Sequence, residues 1–255
     1  MRDEENFIKF LGTAGARFVM ISQLRSSAGL WLAYKGTNLL IDPGPGTLVH
    51  CAKAKPKLTP SKLDGIILTH RHLDHCGDIN VMIEAMTEGG FERKGVVFLP
   101  KDCLDEDPVI LKHTSEFLEK IETLEEKKNY SLGAINFTTP LKHIHPAETY
   151  GLKFHLDKIS VSLISDTKYF KDLEKVYKAD ILIINTVFSL PHPQIEHLCL
   201  EDAEKIIKSI KPKISILTHF GMTMLKAKPH LIVQNLREKL NMDVISAYDG
   251  MKFQL

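Results

Sequence analysis

Three histidines and an aspartate fall within six consecutive positions, His70, His72, Asp74 and His75, in the stretch LTHRHLDHCGD that runs from Leu68 to Asp78. Gathering four imidazole and carboxylate groups is costly unless something binds them, because each loses hydration in a shared pocket. The stretch follows the short apolar run GIILT and precedes the helical periodicity of Ile79–Thr87, so it reads as strand, loop and helix. A loop that doubles back can bring such closely spaced side chains to one point. A fold for this chain has to place His70 at the open end of a buried strand.

Imidazoles and carboxylates suit a borderline divalent ion such as zinc, and also manganese or iron. Four candidate ligands exceed what one tetrahedral ion needs once others arrive from elsewhere, which points to two ions. LKHIHPAETYG carries His143 and His145 at the end of an apolar run, where a strand would turn both to the same side. VSLISDTKYF places Asp166 just past another apolar run, where a carboxylate can bridge two cations, and ISILTHFGM places His219 past a third. Alone, each is more often a cap or a satisfied polar residue. Three together, in a chain that already holds the cluster, favour metal binding.

Around these sites, short apolar runs recur between Gly, Pro and charged turns. The expected strands are Phe7–Leu11, Phe18–Ile21, Leu30–Tyr34, Leu39–Asp42, Gly65–Thr69, Val96–Leu99, Ile135–Thr138, Leu141–His145, Gly151–His155, Ile159–Ser165, Ile181–Asn185, Ile214–Thr218, Val244–Ser246 and Met251–Gln254. Helical spacing marks Ile79–Thr87, Thr114–Lys120, Tyr169–Lys178, Leu200–Ile210 and Pro229–Leu240. With 44% hydrophobic and 25% charged residues, the 255-residue chain has the composition of a globular α/β protein rather than a disordered one.

THRHLDH, HPAETYG, SLISDT and ILTHFG, in that order, resemble the signature of the metallo-β-lactamase superfamily of binuclear metallohydrolases. The resemblance runs from FLGTAGA (Phe10–Ala16) through LLIDPGPGT (Leu39–Thr47) to Asp249–Gly250, and so covers nearly the whole chain. It implies one hydrolase domain over residues 1–255, folded as a four-layer αββα sandwich of two mixed β-sheets flanked by helices. It also implies two divalent metal ions, zinc in first place with manganese or iron as alternatives. His70, His72 and His145 would hold one, and Asp74, His75 and His219 the other, with Asp166 bridging them. His145 is preferred to His143 because the corresponding histidine of the family usually stands six residues before a glycine, here Gly151; a supporting role is left for His143. Asp42 matches a position that buttresses the metal-binding loops. Gly44 and Gly46 serve tight backbone geometry rather than a phosphate loop, whose Lys–Ser/Thr pair is missing.

A pair of bridged divalent ions makes a hydroxide nucleophile near neutral pH, and Asp74 could orient it, so the implied reaction is hydrolysis. His197 precedes an amphipathic helix in HLCLEDAEKIIKSI, and in the phosphodiesterase branch a histidine in similar context acts near the scissile phosphate. The catalytic expectation therefore rests on Asp74 and His197, with Ser189–Leu198 as a substrate-facing loop and His192 as a loop residue within it. The substrate expectation is a small cyclic or linear phosphodiester. Two departures argue against ribonuclease Z itself: Asn185 and Thr186 stand where it usually carries a His and a Glu, and there is no room between His145 and Asp166 for its transfer-RNA arm. The alternative is an acyl hydrolase for a lactone or thioester, with Tyr150 or Tyr169 as oxyanion donor; a metal-binding sensor without catalysis is a third reading.

Charge and cysteine usage bound the partners. Thirty-three Lys+Arg against 32 Asp+Glu leave a formal charge of +1, so no whole-protein field draws nucleic acid or a membrane, and Lys53, Lys55 and Lys57 read as a solvated loop. Cys51, Cys76, Cys103 and Cys199 form no CxxC pair, MRDEENFIKF lacks the pattern of a signal peptide, and no apolar run reaches the length of a membrane span. These features read as a cytoplasmic protein acting on a small-molecule ester or phosphodiester. A homodimer is the further expectation that the resemblance brings, and residues 88–132, poor in recognisable motifs, are read as shaping the pocket mouth.

Overall fold

β-branched and leucine-rich runs bounded by Gly, Asp and Asn dictate most of the architecture. In the computed structural model, which describes residues 5–27 and 29–255, they form β1 (Phe7–Phe10), β2 (Leu30–Tyr34), β3 (Thr37–Ile41), β4 (Gly65–Ile67), β5 (Val96–Leu99), β6 (Lys120–Thr123) and β7 (Lys128–Leu132). There follow β8 (Ile135–Thr139), β9 (Leu152–Leu156), β10 (Ile159–Ile164), β11 (Ile181–Asn185), β12 (Ile214–Thr218), β13 (Val244–Ser246) and β14 (Lys252–Gln254). One seven-stranded sheet has the order β14-β1-β2-β3-β4-β5-β6, and the other has β13-β12-β11-β10-β9-β8-β7. Both are mixed. From β14 to β3 the pairing is antiparallel and from β3 to β6 parallel. The second sheet repeats the plan, antiparallel from β7 to β10 and parallel from β10 to β13.

Strands buried on both faces show how the layers stack. Leu39 and Ile41 of β3 join Phe137, Phe154 and Ile183 in a core between the two sheets. Leu40, on the opposite face, joins Ile79, Met82, Ile83 and Met86 of the helix Ile79–Met86. β11 does the same on its side: Ile181 and Ile183 face the inter-sheet core, whereas Leu182 and Ile184 meet Ala203, Ile206, Ile207 and Ile210. Those four positions of the helix Leu200–Ile210 recur at the spacing that lines one helical face, and Asp202 accepts from the Cys199 backbone N–H to cap its start. The result is the expected four-layer αββα sandwich, with each sheet covered by helices on its outer side and continuous apolar runs in its central strands.

Several local expectations are corrected. Phe18–Ile21 belongs to a helix, Ala16–Ile21, that buries only Val19 and leaves Phe18 and Ile21 exposed. Four apolar residues in a row do not distinguish strand from helix. Leu141–His145 is not a strand but a loop with a single bridge from Lys142 to Tyr150, so His143 and His145 do not share a face. Thr114–Lys120 splits into a short helix, Lys112–Ser115, and the start of β6, and the helix within Tyr169–Lys178 shrinks to Leu173–Val176. β6, β7 and the helix Thr47–Lys53 were not expected. Of the N-terminal decapeptide, residues 1–4 lie outside the described residues. Among those described, no helix is long and apolar enough to cross a membrane, and the four cysteines are free and buried.

The carboxyl ends of β3, β4, β10, β11 and β12 deliver Asp42, Thr69 and His70, Asp166, Asn185 and His219 to one edge of the sandwich. This is where open parallel sheets present ligand-binding groups.

Candidate metal centre

The cluster divides at His72. That residue has an extended backbone (φ −64°, ψ 144°) and starts the single turn Leu73–Cys76, which supplies Asp74 and His75, the latter with its ring centroid 4.0 Å from that of His70. His72 Nδ1 lies 3.1 Å from His70 Nε2 and 3.1 Å from His145 Nε2. His75 Nε2 lies 3.3 Å from His219 Nε2, and Asp74 Oδ2 lies 3.6 Å from the latter. Two nitrogens held at a normal zinc bond length in a tetrahedron stand about 3.3 Å apart, so both groups have the spacing a divalent ion requires. His70, His72 and His145 form one group that could hold an ion; Asp74, His75 and His219 form another.

Asp166 joins them. Its Oδ2 lies 3.9 Å from His70 Nε2 and 3.5 Å from His75 Nε2, and its Oδ1 lies 3.4 Å from His219 Nε2. The structure thus brings together all seven residues expected as ligands. Of the two histidines in HIH, it brings His145 into the group and turns His143 away, where His143 Nε2 meets the Tyr177 hydroxyl at 2.8 Å.

Four of the donors, His70, His75, His145 and Asp166, are held from behind. The Asp42 carboxylate accepts from the Thr69 backbone N–H (2.6 Å) and hydroxyl (2.8 Å), and its Oδ2 is 2.9 Å from His75 Nδ1. With Nδ1 turned to Asp42, Nε2 is the nitrogen that faces the group. The Ser165 hydroxyl donates to Thr69 Oγ1, which in turn lies 3.1 Å from His70 Nδ1. His145 Nδ1 is 3.1 Å from the Glu196 carbonyl, and Asn185 Nδ2 donates to Asp166 Oδ1 at 2.8 Å. Thr69, Ser165, Asn185 and Glu196 escaped sequence reasoning as supporting groups. The available signal for three of them was a polar residue at the end of a buried strand. Asp42 and His219 both adopt left-handed backbone, at φ 54° and 59°, a strained choice for non-glycine residues that is concentrated at functional sites.

Burial lowers the pKa of His70, His72 and His145, with neighbouring histidines adding to the effect, so these rings are neutral and their lone pairs free. Burial also opposes a charge on His75, but Asp42, Asp166 and Asp74 outweigh it and hold that imidazole well above its ordinary range. Burial likewise disfavours the Asp166 carboxylate, yet His219, His75 and His197 keep it ionised, well below the usual carboxylate range.

His197 lies beside the cluster. Its ring centroid is 5.1 Å from that of His145, and its Nδ1 is buried without a hydrogen-bond partner, 3.5 Å from Asp166 Oδ2. Burial lowers its pKa. His192 stacks on Phe188 in the same loop. The two tyrosines weighed as oxyanion donors are committed elsewhere: Tyr150 donates to Glu148 at 2.8 Å and Tyr169 to Glu174. Lys53, Lys55 and Lys57 are exposed. A cleft of about 710 Å³ opens next to His72, walled by Arg71, Leu73, Asp102, Val109 and Ala147, so part of segment 88–132 does border the site.

Fold and donor geometry together describe a metallo-β-lactamase-type protein. Residues 37–220 match the model of the beta-lactamase superfamily domain, and the chain belongs to that family. It is 27% identical over 258 residues to the uncharacterized protein MJ1374 of Methanocaldococcus jannaschii, covering 97% of this chain and 94% of that one. Among solved structures it is similar to the metallo-beta-lactamase fold protein YhfI from Bacillus subtilis, with a TM-score of 0.81 at 20% identity over 99% of this chain and 100% of that one. It is also similar to a diphosphatase from the PhnP family, with a TM-score of 0.72 at 22% identity over 98% and 97%.

Proposed function

We propose that this protein is a binuclear metal-dependent hydrolase that cleaves a small cyclic or linear phosphodiester. The observation that carries the reading is Asp166, one carboxylate within reach of both donor groups and of His197. His70, His72 and His145 would hold one ion and Asp74, His75 and His219 the other, with Asp166 within reach of both groups; the nitrogen-rich donors suit zinc first, and manganese or iron as alternatives. When bound, the two ions supply a hydroxide near neutral pH and neutralise charge on the attacked phosphate.

The chain's own residues do the rest. Asp74, held at the second group, would orient the nucleophile. Neutral His197 offers an N–H to a phosphate oxygen or to the departing oxygen, where charge accumulates. The cleft beside His72 takes the non-reacting part of the substrate, and its volume suits a small molecule. The PhnP-family diphosphatase, similar over nearly its full length, supports chemistry at phosphorus. The acyl-hydrolase alternative loses its two tyrosine donors to Glu148 and Glu174.

The test is hydrolysis of bis(p-nitrophenyl) phosphate by protein loaded separately with zinc and with manganese, beside His72→Ala and His197→Ala proteins. Turnover abolished by His72→Ala and lowered roughly 100-fold or more by His197→Ala supports the reading. Phosphodiester silence with turnover of a lactone or thioester would transfer the site to acyl chemistry. Two bound ions with no turnover of any ester would leave a sensor.

A further inference from the structure

We infer that Asp249, 30 residues beyond His219 in the chain, is a positioning residue that sets the His219 imidazole through a clasp made with Thr13, Gly15 and Arg25. His219 gains from such help because it follows β12 in left-handed backbone, a conformation that costs an L-residue free energy. The next residue, Phe220, is pinned on both sides by one segment: its N–H donates to the Thr13 carbonyl at 2.8 Å, and its carbonyl accepts from the Gly15 N–H at 3.0 Å. Gly15 is pressed against the histidine itself. A Cβ there would lie 2.1 Å from the His219 carbonyl oxygen and 2.9 Å from the ring carbon Cδ2.

Asp249 holds that segment in place. Its Oδ1 accepts from the buried Thr13 hydroxyl at 2.6 Å, and its Oδ2 accepts from the Ser26 N–H at 2.8 Å. Arg25 Nη1 donates to the same Thr13 oxygen at 2.8 Å and to the Ala247 carbonyl at 3.3 Å, and its guanidinium lies 5.4 Å over the Phe220 ring. Three distant stretches of chain therefore meet behind one histidine. The first donor group has no such attachment: His145 is held by Glu196, and His70 by Thr69. Loosening the clasp should release His219 alone.

The metal readout of this inference rests on the binuclear reading; its spectroscopic readout does not. Zinc binding is measured by competition with a chromophoric chelator for wild type, Asp249→Ala, Asp249→Asn and Thr13→Val, the last sparing the carboxylate should Asp249→Ala fail to fold. The expected result is an unchanged tight ion, a second ion weakened about 10- to 100-fold in Asp249→Ala and Thr13→Val, and a smaller loss in Asp249→Asn, which keeps one acceptor oxygen. Equal weakening of both ions, or of neither, would overturn the inference. In parallel, ¹⁵N-histidine spectra of metal-free protein should show the His219 ring signals shifted and broadened in the variants with those of His145 unmoved. If wild type binds a single ion, the binuclear reading fails and these spectra decide: an unmoved His219 signal overturns the positioning role, and a selective change sustains it.

Discussion

Asp42 Oδ2 stands 2.9 Å from His75 Nδ1, although 33 residues separate the two, and this contact decides which nitrogen of His75 faces Asp74 and His219. The carboxylate also accepts both Thr69 donors, so all of its neighbours are hydrogen-bond donors. Asp42→Asn is informative because its amide group has to face one of them. Turned toward His75, the amide would donate to Nδ1 and drive the ring proton to Nε2, blocking the atom that faces the cluster. The expected outcome is a loss of about 10- to 100-fold in metal affinity at the second group, read by zinc titration against a chelator. Undiminished binding in a folded Asp42→Asn protein would contradict the supporting role.

Asn185 plays the corresponding part for Asp166, donating to Oδ1 at 2.8 Å. Replacing it with Leu removes the donor at similar volume and leaves the buried carboxylate short of one hydrogen bond. Because Asp166 is shared, both ions should weaken together, by roughly 10-fold each, in contrast to the selective loss expected from Asp42→Asn. Equilibrium dialysis with metal analysis separates the two patterns. Loss of one ion only would show that Asp166 serves a single group.

What could be read from the sequence follows the physics of burial. Strands covered on both faces, such as β3 and β11, carry unbroken apolar runs and were recognisable to within a few residues. β6 (KIET) and β7 (KNYSL) each form one edge of a sheet, with many residues partly or fully exposed, and have too little apolar pattern to mark them. The donors were legible because each polar residue interrupts or follows such a run. Orientation was not legible: a loop rather than a strand separates the directions of His143 and His145. The residues behind the donors, Thr69, Ser165 and Asn185, look like ordinary strand-end polar groups until the two sheets are brought face to face.

Asp180 offers a stability test remote from the cluster. Its carboxylate accepts from the Ser160 hydroxyl at 2.7 Å and backbone N–H at 2.9 Å and pairs with Lys213 at 3.0 Å, tying the starts of β10, β11 and β12 together. The Ser160 hydrogen bonds, followed by Lys213, lower its pKa to about 2. A carboxyl group with a depressed folded-state pKa binds fewer protons folded than unfolded, so its contribution is complete above pH 4 and disappears as pH falls toward 2. Asp180→Asn should therefore cost about 1–2 kcal/mol near neutral pH, measured by urea unfolding, with the gap to wild type closing between pH 4 and 2. A gap independent of pH would mean that packing, not charge, accounts for the loss.

Metal removal should register in stability as well as turnover. His72 Nδ1 stands 3.1 Å from both His70 Nε2 and His145 Nε2, the spacing that one ion held by all three requires, and burial disfavours protonating these rings. An ion that binds only the folded chain stabilises it by about 4 kcal/mol at a thousandfold excess over its dissociation constant. At this chain length each kcal/mol corresponds to roughly 2–4 °C of Tm, so chelator treatment should lower Tm by about 10 °C and zinc should restore it. His72→Ala, with the first group incomplete, should show a clearly smaller zinc-dependent shift. Differential scanning calorimetry with parallel metal analysis makes the comparison. A Tm unchanged by complete removal of bound metal would mean that the donors are held in place by the surrounding hydrogen bonds alone, and that the ions contribute only to reaction.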